Sequence, residues 1–480
     1  MHSLSPPPPP SIFGCSSLPA LSRRRSISHL ACILSFVAVP RQPRYSRPFS
    51  AVHAIPKAER VNVQCRSNGS FDLDILHPKT QSASVLIYLP SGPLLPDVSQ
   101  AEDHLISALA ASTHTSTIVR VNYRCSPHHR FPTPIHDVTL AYDWILHNLL
   151  PDTTRHAKIA VCGELVGASL ATMLALTECR IGQSRIVAAA VNNPIADWVF
   201  PDDLPAQDFS QLPEPNAPEE IAVPAGEDIM ATWSTTVTNE NDLHTTTATS
   251  AKKPQKRKRA TKPPPPVAWL DNADNPILPS LTLSGERDVI FQRPDDCFDR
   301  FASPIHFFRS PYGQLIYPRQ DDLFASSSPS DIPLDSLDIE TRMNINHFDS
   351  LESTPPPPPD VPTLTRCRAY ARIYPPAGSN LVLPKFHITT GSQSPLLDQA
   401  AELAKGIKRS IARQTLRART ARVHWQDPAE KEKFEAYAEE RVQLNTLNGV
   451  GLWSLPDGKS DTNAQIHHLG AWMRQCLGLS

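Results

Sequence analysis

Glycine is scarce, with 17 in 480 residues, about half of ordinary usage. The glycines that remain therefore mark turns or close backbone approaches. Cysteine pairs are missing as well. Cys15, Cys32, Cys65, Cys125, Cys162, Cys179, Cys297, Cys367 and Cys476 form no C-x-x-C pair and have no histidines at zinc-ligand spacing. The pattern reads as free thiols in a reducing compartment, with no metal or cofactor site expected. No apolar run approaches the ~18 residues of a membrane span; the longest is Leu30 to Val39. Neither sign of charge dominates, with 46 basic and 48 acidic residues, so a nucleic-acid-binding surface is not expected. A mean hydropathy of -0.29 with 40% hydrophobic residues excludes a wholly disordered chain or a fibre.

Proline is the residue in excess, with 50 in the chain. It clusters in Pro6 to Pro10, Pro263 to Pro266 and Pro355 to Pro359. No acidic residue precedes Glu59, while Arg23, Arg24, Arg25, Arg41, Arg44 and Arg47 lie among many serines. This composition suits a mitochondrial transit segment over residues 1–58, and Arg47-Pro48-Phe49-Ser50-Ala51 resembles a cleavage site. A disordered tail is the alternative. Two further stretches, 201–266 and 319–360, lack the apolar content to offset ordering entropy and read as low-complexity inserts. The first carries Lys252-Lys253-Pro254-Gln255-Lys256-Arg257-Lys258-Arg259, a nuclear-address-like run or a solvated one. A nuclear or cytoplasmic location is thus the competing expectation.

Between these segments the periods are clear. Val61–Cys65 and Phe71–Ile75 alternate around Asn68-Gly69, a hairpin signal. Ser84–Leu89, Thr117–Asn122, Lys158–Cys162, Ile186–Val191, Lys385–Thr389 and Arg441–Asn445 read as strands, the first a continuous apolar run expected to be buried on both faces and the second also buried. Helices are predicted over Glu102–Ala111, Pro134–Leu150, Ala168–Glu178, Leu397–Arg413 and Ala464–Cys476. Phe298–Phe308 is aromatic and expected to dock on the core. Strand–helix alternation predicts one α/β domain over 59–480, a doubly wound, mostly parallel sheet behind an antiparallel hairpin.

Three stretches carry a resemblance. They are Asn122-Tyr123-Arg124-Cys125-Ser126-Pro127-His128-His129-Arg130-Phe131-Pro132 with Asp137 and Trp144, Cys162-Gly163-Glu164-Leu165-Val166-Gly167-Ala168, and Thr390-Gly391-Ser392-Gln393-Ser394-Pro395-Leu396-Leu397-Asp398. They resemble the α/β-hydrolase fold, and most closely the hormone-sensitive-lipase-like esterases, which implies that fold, helical cap elements and carboxylic-ester hydrolysis. The family chemistry needs a serine on a strand-to-helix elbow, a histidine, an acid and a glycine-rich oxyanion loop. The resemblance places the nucleophile at Leu165, the acid at Ser394 and the histidine at Leu452. The oxyanion loop falls on Ser91 and Gly92, followed by Pro93, which has no N–H to donate. None of the three triad positions offers the required group.

Other residues could in principle substitute. Ser169 reads as a helix-packing residue, and Ser91 as a serine without an evident base. His128 and His129 read as loop packing, His387 as a satisfied core residue, and Glu164 as a fixer of the elbow. His467 and His468 fall in the closing helix. The leading expectation is a pseudoenzyme that binds an apolar or ester-like small molecule or acts as a scaffold. The alternatives are a residual hydrolase using relocated groups, and an interaction hub whose proline runs bind protein partners.

Overall fold

The computed structural model describes residues 58–65, 69–78, 84–95, 99–150, 157–205, 212–215, 268–317, 362–376, 378–419, 428–455 and 461–478. The chain divides into Met1–Ala54 and Ile55–Ser480. The expected targeting segment, the basic run at Lys252, most of the first insert and all of the second lie outside the described residues.

Eight strands form one sheet: β1 (Glu59–Cys65), β2 (Gly69–Leu76), β3 (Val85–Leu89), β4 (Thr117–Asn122), β5 (Lys158–Glu164), β6 (Arg185–Asn192), β9 (Lys385–Gly391) and β10 (Val442–Leu447). Their spatial order is β1-β2-β4-β3-β5-β6-β9-β10. β2 runs antiparallel to both β1 and β4, and every pairing beyond them is parallel. β7 (Gly313–Ile316) and β8 (Thr363–Arg366) make a separate antiparallel pair.

The continuous apolar runs arise because both faces are covered. Side chains alternate across a strand, so Val85, Ile87 and Leu89 of β3 join one core while Leu86 and Tyr88 join the other. The first core receives α2 (Thr133–Asn148), α3 (Val166–Thr177) and α6 (Leu397–Arg419). The second receives Leu105, Ile106 and Leu109 of α1 (Ser99–Ser112), and Ile466, Leu469 and Met473 of α8 (Asp461–Leu477).

The structure adds α4 (Ala268–Asp271), α5 (Ser280–Ile290) and α7 (Pro428–Arg441), none of which the periodicity indicated. It also narrows the first insert. Leu204 and Leu212 are buried, and Asp202 Oδ2 accepts the Trp269 indole N–H at 2.8 Å. Phe307 and Phe308 dock on the core as expected. An aromatic group completes this side: Phe131 stacks on Phe291 at 4.4 Å, Phe200 on Trp269 at 4.3 Å, and Trp198 meets Phe291 edge-on at 5.3 Å.

Backbone segments approach closely where β5 turns into α3. A Cβ on Gly163 would collide with the Gly167 carbonyl, and one on Gly167 with the carbonyls of Leu89 and Pro90. Backbone cannot yield as a side-chain tip can. Gly167→Ala should therefore cost at least ~3 kcal/mol of unfolding free energy. Gly285→Ala, within α5 where a Cβ meets nothing within 4 Å, should gain roughly 0.5–1 kcal/mol. Urea titration of both variants checks this, and equal effects would contradict the packing argument.

Candidate functional site

The elbow is set by backbone geometry. Leu165 separates β5 from α3 with φ 52° and ψ -112°, a left-handed conformation that costs a leucine of order 1–3 kcal/mol. Its N–H donates to Asn192 O at 3.0 Å, and its carbonyl accepts the Ser169 N–H at 3.1 Å. The side chain is fully buried, packed in the same core as Val166, Leu94, Leu95, Val450 and Leu452.

The loop after β3 approaches this turn. Gly92 has φ 80°, and a Cβ there would touch Val166 and the Tyr123 hydroxyl. Tyr123 in turn donates to Pro90 O at 2.7 Å. Ser91 is completely buried. Its N–H and its hydroxyl both donate to Glu102 Oε1, at 3.1 and 3.2 Å. Arg120 holds the other oxygen of Glu102 at 2.6 Å. A carboxylate thus occupies the Ser91 N–H, one of the donors the resemblance assigns to an oxyanion.

Ser394 is fully buried two residues before Leu396, and its Oγ accepts the Leu396 N–H at 3.2 Å just before α6 begins. That is a turn-capping role. Leu452 lies 3% exposed in the segment after β10. The same segment is pinned by buried amides: Asn192 Nδ2 donates to Gly451 O at 2.8 Å and Asn193 Nδ2 to Val450 O at 3.1 Å. Asn193, at φ 44°, also accepts the Thr390 hydroxyl at 2.9 Å.

The candidate substitutes are placed as follows. Ser169 Oγ donates to Ile195 O at 2.6 Å and Leu165 O at 3.1 Å, so it is buried and engaged. His128 and His129 lie in the loop before α2, where His129 and Ser126 exchange backbone hydrogen bonds. His467 and His468 are exposed on α8. His387 departs from expectation. One ring nitrogen meets Asn445 Nδ2 at 2.9 Å, but Nδ1 is buried with no hydrogen-bond partner. Burial, aided by the nearby His468, pushes its imidazole down to about 4, so it stays neutral near physiological pH.

Arg124 and Asp137, from the first matching stretch, do pair. Arg124 Nε and Nη2 bind Asp137 at 2.9 and 2.7 Å, a bidentate contact joining the loop after β4 to α2. Glu164 Oε1 accepts the Trp453 N–H at 2.6 Å, tying the end of β5 to the segment after β10. Burial pushes its carboxyl up to about 7, against the hydrogen bonds from Trp453 and Ser454.

Sequence reasoning missed one charged group. Asp197, beyond β6, contacts Arg309 Nη2 at 2.9 Å and His306 Nε2 at 3.7 Å, and Arg309 Nε donates to Glu402 of α6 at 2.7 Å. Burial acts to raise the Asp197 carboxyl, but His306 and Arg309 outweigh it and hold it well below its ordinary value. Arg309 also lies 4.1 Å over the Tyr312 ring. The group clamps the segment around residue 306 to the sheet and α6. Asp197 and Arg309 lie 112 positions apart, and Arg309 and Glu402 93, so no local spacing announces the group. Among the described residues no cluster of three or more potential metal ligands occurs, and no helix is long and apolar enough to cross a membrane.

Residues 87–267 match a family model described as the alpha/beta hydrolase fold. No curated protein matches the chain. Carboxyl esterase 2 of the mycorrhizal fungus Tuber melanosporum is similar over 90% of this chain and 90% of its own, at 11% identity and a TM-score of 0.48. An esterase of Pyrobaculum calidifontis is similar over 87% and 86%, at 16% identity and a TM-score of 0.43. A thermostable esterase of Pseudomonas putida ECU1011 is similar over 90% and 86%, at 14% identity and a TM-score of 0.47.

Proposed function

We propose that this chain, an α/β hydrolase by fold, is catalytically inactive as an ester hydrolase and acts by binding or scaffolding. The observation that carries this reading is Leu165, fully buried at the apex of the elbow. Its side chain has no lone pair with which to attack a carbonyl. A residual activity would need another nucleophile and base. Ser91, Ser169 and Ser394 are all buried, and their hydroxyls are engaged with Glu102, two carbonyls and the Leu396 N–H respectively. The apolar neighbourhood of Leu165 suits an apolar or ester-like small molecule if its covering segment moves aside.

Loss of triad members typically costs about a million-fold in turnover, leaving about a thousand-fold over water from the oxyanion hole and binding. Here a donor of that hole is also engaged with Glu102. Short- and long-chain acyl esters should therefore be hydrolysed no faster than with heat-denatured protein, and a fluorophosphonate probe should not label the chain. Leu165→Ser alone should restore nothing, because neither Leu452 nor Ser394 can activate the new hydroxyl. Turnover by the unmodified chain, abolished by Ser91→Ala or by a change at His128 or His129, would show instead that the chemistry has moved.

Delivery to mitochondria is proposed on the acid-free, arginine- and serine-rich composition of residues 1–58. A fluorescent reporter carrying Met1–Ala58 should accumulate in mitochondria. A diffuse or nuclear reporter would contradict the assignment.

A further inference from the structure

Glu164 ends β5 as a fully buried carboxyl, on the sheet face covered by α1 and α8. Its two oxygens differ. Oε1 accepts the backbone N–H groups of Trp453 at 2.6 Å and Ser454 at 3.4 Å. Among the described residues Oε2 and the Tyr88 hydroxyl are buried with no hydrogen-bond partner in good geometry, though the Ser454 side chain lies close enough to favour the ionised Glu164. Among the described residues no cation pairs with Glu164. Arg120 on β4 is committed to Glu102 at 2.6 Å and Asp103 at 3.0 Å. The groups that face Glu164 add no compensating positive charge: Ser454 beside it, Glu102 from α1, and Tyr88 from β3, which senses Glu102, Glu164, Cys162 and Arg120.

The segment that Glu164 holds is fixed at its other end by different means. Asn192 and Asn193 bind the carbonyls of Gly451 and Val450 through neutral amides, which do not respond to pH. Among the described contacts, the 452–455 end is held by a titratable group, Glu164. That end carries Leu452 and Trp453, 3% and 4% exposed.

We propose that Glu164 is a protonation-controlled latch on residues 452–455. Protonated, it holds Trp453 and Ser454 against the elbow; ionised, it draws water to its unpartnered oxygen and lets that segment open.

The physical reason is the cost of an unpaired charge. A buried carboxylate without a cation is several kcal/mol less stable than one in water, whereas a neutral carboxyl can remain. The raised value of about 7, against an ordinary 4.5, has that direction. Because the closed state favours the proton, its closure is fully present below the ordinary value and is lost as pH rises through about 7. Opening beside Leu452 would expose the apolar surroundings of Leu165. The latch does not require the chain to be inactive, so esterase activity would leave it standing.

Hydrogen exchange of the amides of residues 452–455 in the full-length chain, corrected for the intrinsic rate, tests this. Opening should be about 30-fold more frequent at pH ~8.5 than at pH ~5.5, if the open carboxyl regains its ordinary value. Glu164→Gln, which keeps an acceptor but cannot ionise, should remove that dependence. Equal corrected protection at both pH values, or a dependence that survives in Glu164→Gln, would overturn the proposal. Should the glutamine variant not fold, Trp453 provides a second readout. Acrylamide quenching of the wild-type chain should rise across this range, and Trp453→Phe should lose the increment. A wild-type chain with no increment would also overturn it.

Discussion

The approach of the β5–α3 turn to the end of β3 governs the rest of this structure. Gly167 lies against the carbonyls of Leu89 and Pro90, and Gly163 against Gly167, with no room for a Cβ at either position. That contact forces a sharp turn and puts residue 165 at φ 52°. In a hydrolase such strain presents a hydroxyl. Here it presents a leucine, and the strain of order 1–3 kcal/mol is offset by burying that side chain, worth about 1.5–3 kcal/mol. The elbow is thus kept as a packing device. The two terms are of similar size, so burial can offset the strain of a leucine at this position.

The polar groups around the elbow follow the same logic. Donors that could face a substrate face the protein instead. Ser91 satisfies Glu102, and Ser394 caps the turn into α6. Asn192 and Asn193 bind the loop after β10, and Glu164 binds the residues beyond it. A buried polar group left unsatisfied costs about 1–3 kcal/mol, so each of these bonds favours the closed arrangement. The Asp197–Arg309–Glu402 group does the same for the segment that follows the first insert.

Much of this was legible in the sequence. Val85–Leu89 and Lys158–Cys162 announced central strands because strands buried on both faces need apolar residues at every position. The elbow was legible through the resemblance of Cys162–Ala168 to the hydrolase turn, whose glycines survive at 163 and 167. Other elements gave no comparable signal. Leu283 and Ile290 are the buried large apolar residues of α5, and the described part of α7 buries only Phe434 and Ala438, too few for a helical period to stand out. The partners of Glu164 and Asp197 were invisible for another reason. Trp453 lies 289 positions from Glu164, and Arg309 lies 112 from Asp197. Only the folded sheet brings them together, and no local spacing encodes such a contact.

The account makes Leu165 a structural residue, and its stability tests that most directly. Replacing it with serine removes a fully buried apolar side chain from the first core and leaves a hydroxyl in apolar surroundings. Equilibrium denaturant unfolding of Leu165→Ser should therefore show a loss of about 3 kcal/mol relative to the wild-type chain, with an unchanged denaturant dependence. Unchanged or increased stability would mean that the position is still shaped for a hydroxyl, and would contradict the reading of the elbow as a packing device.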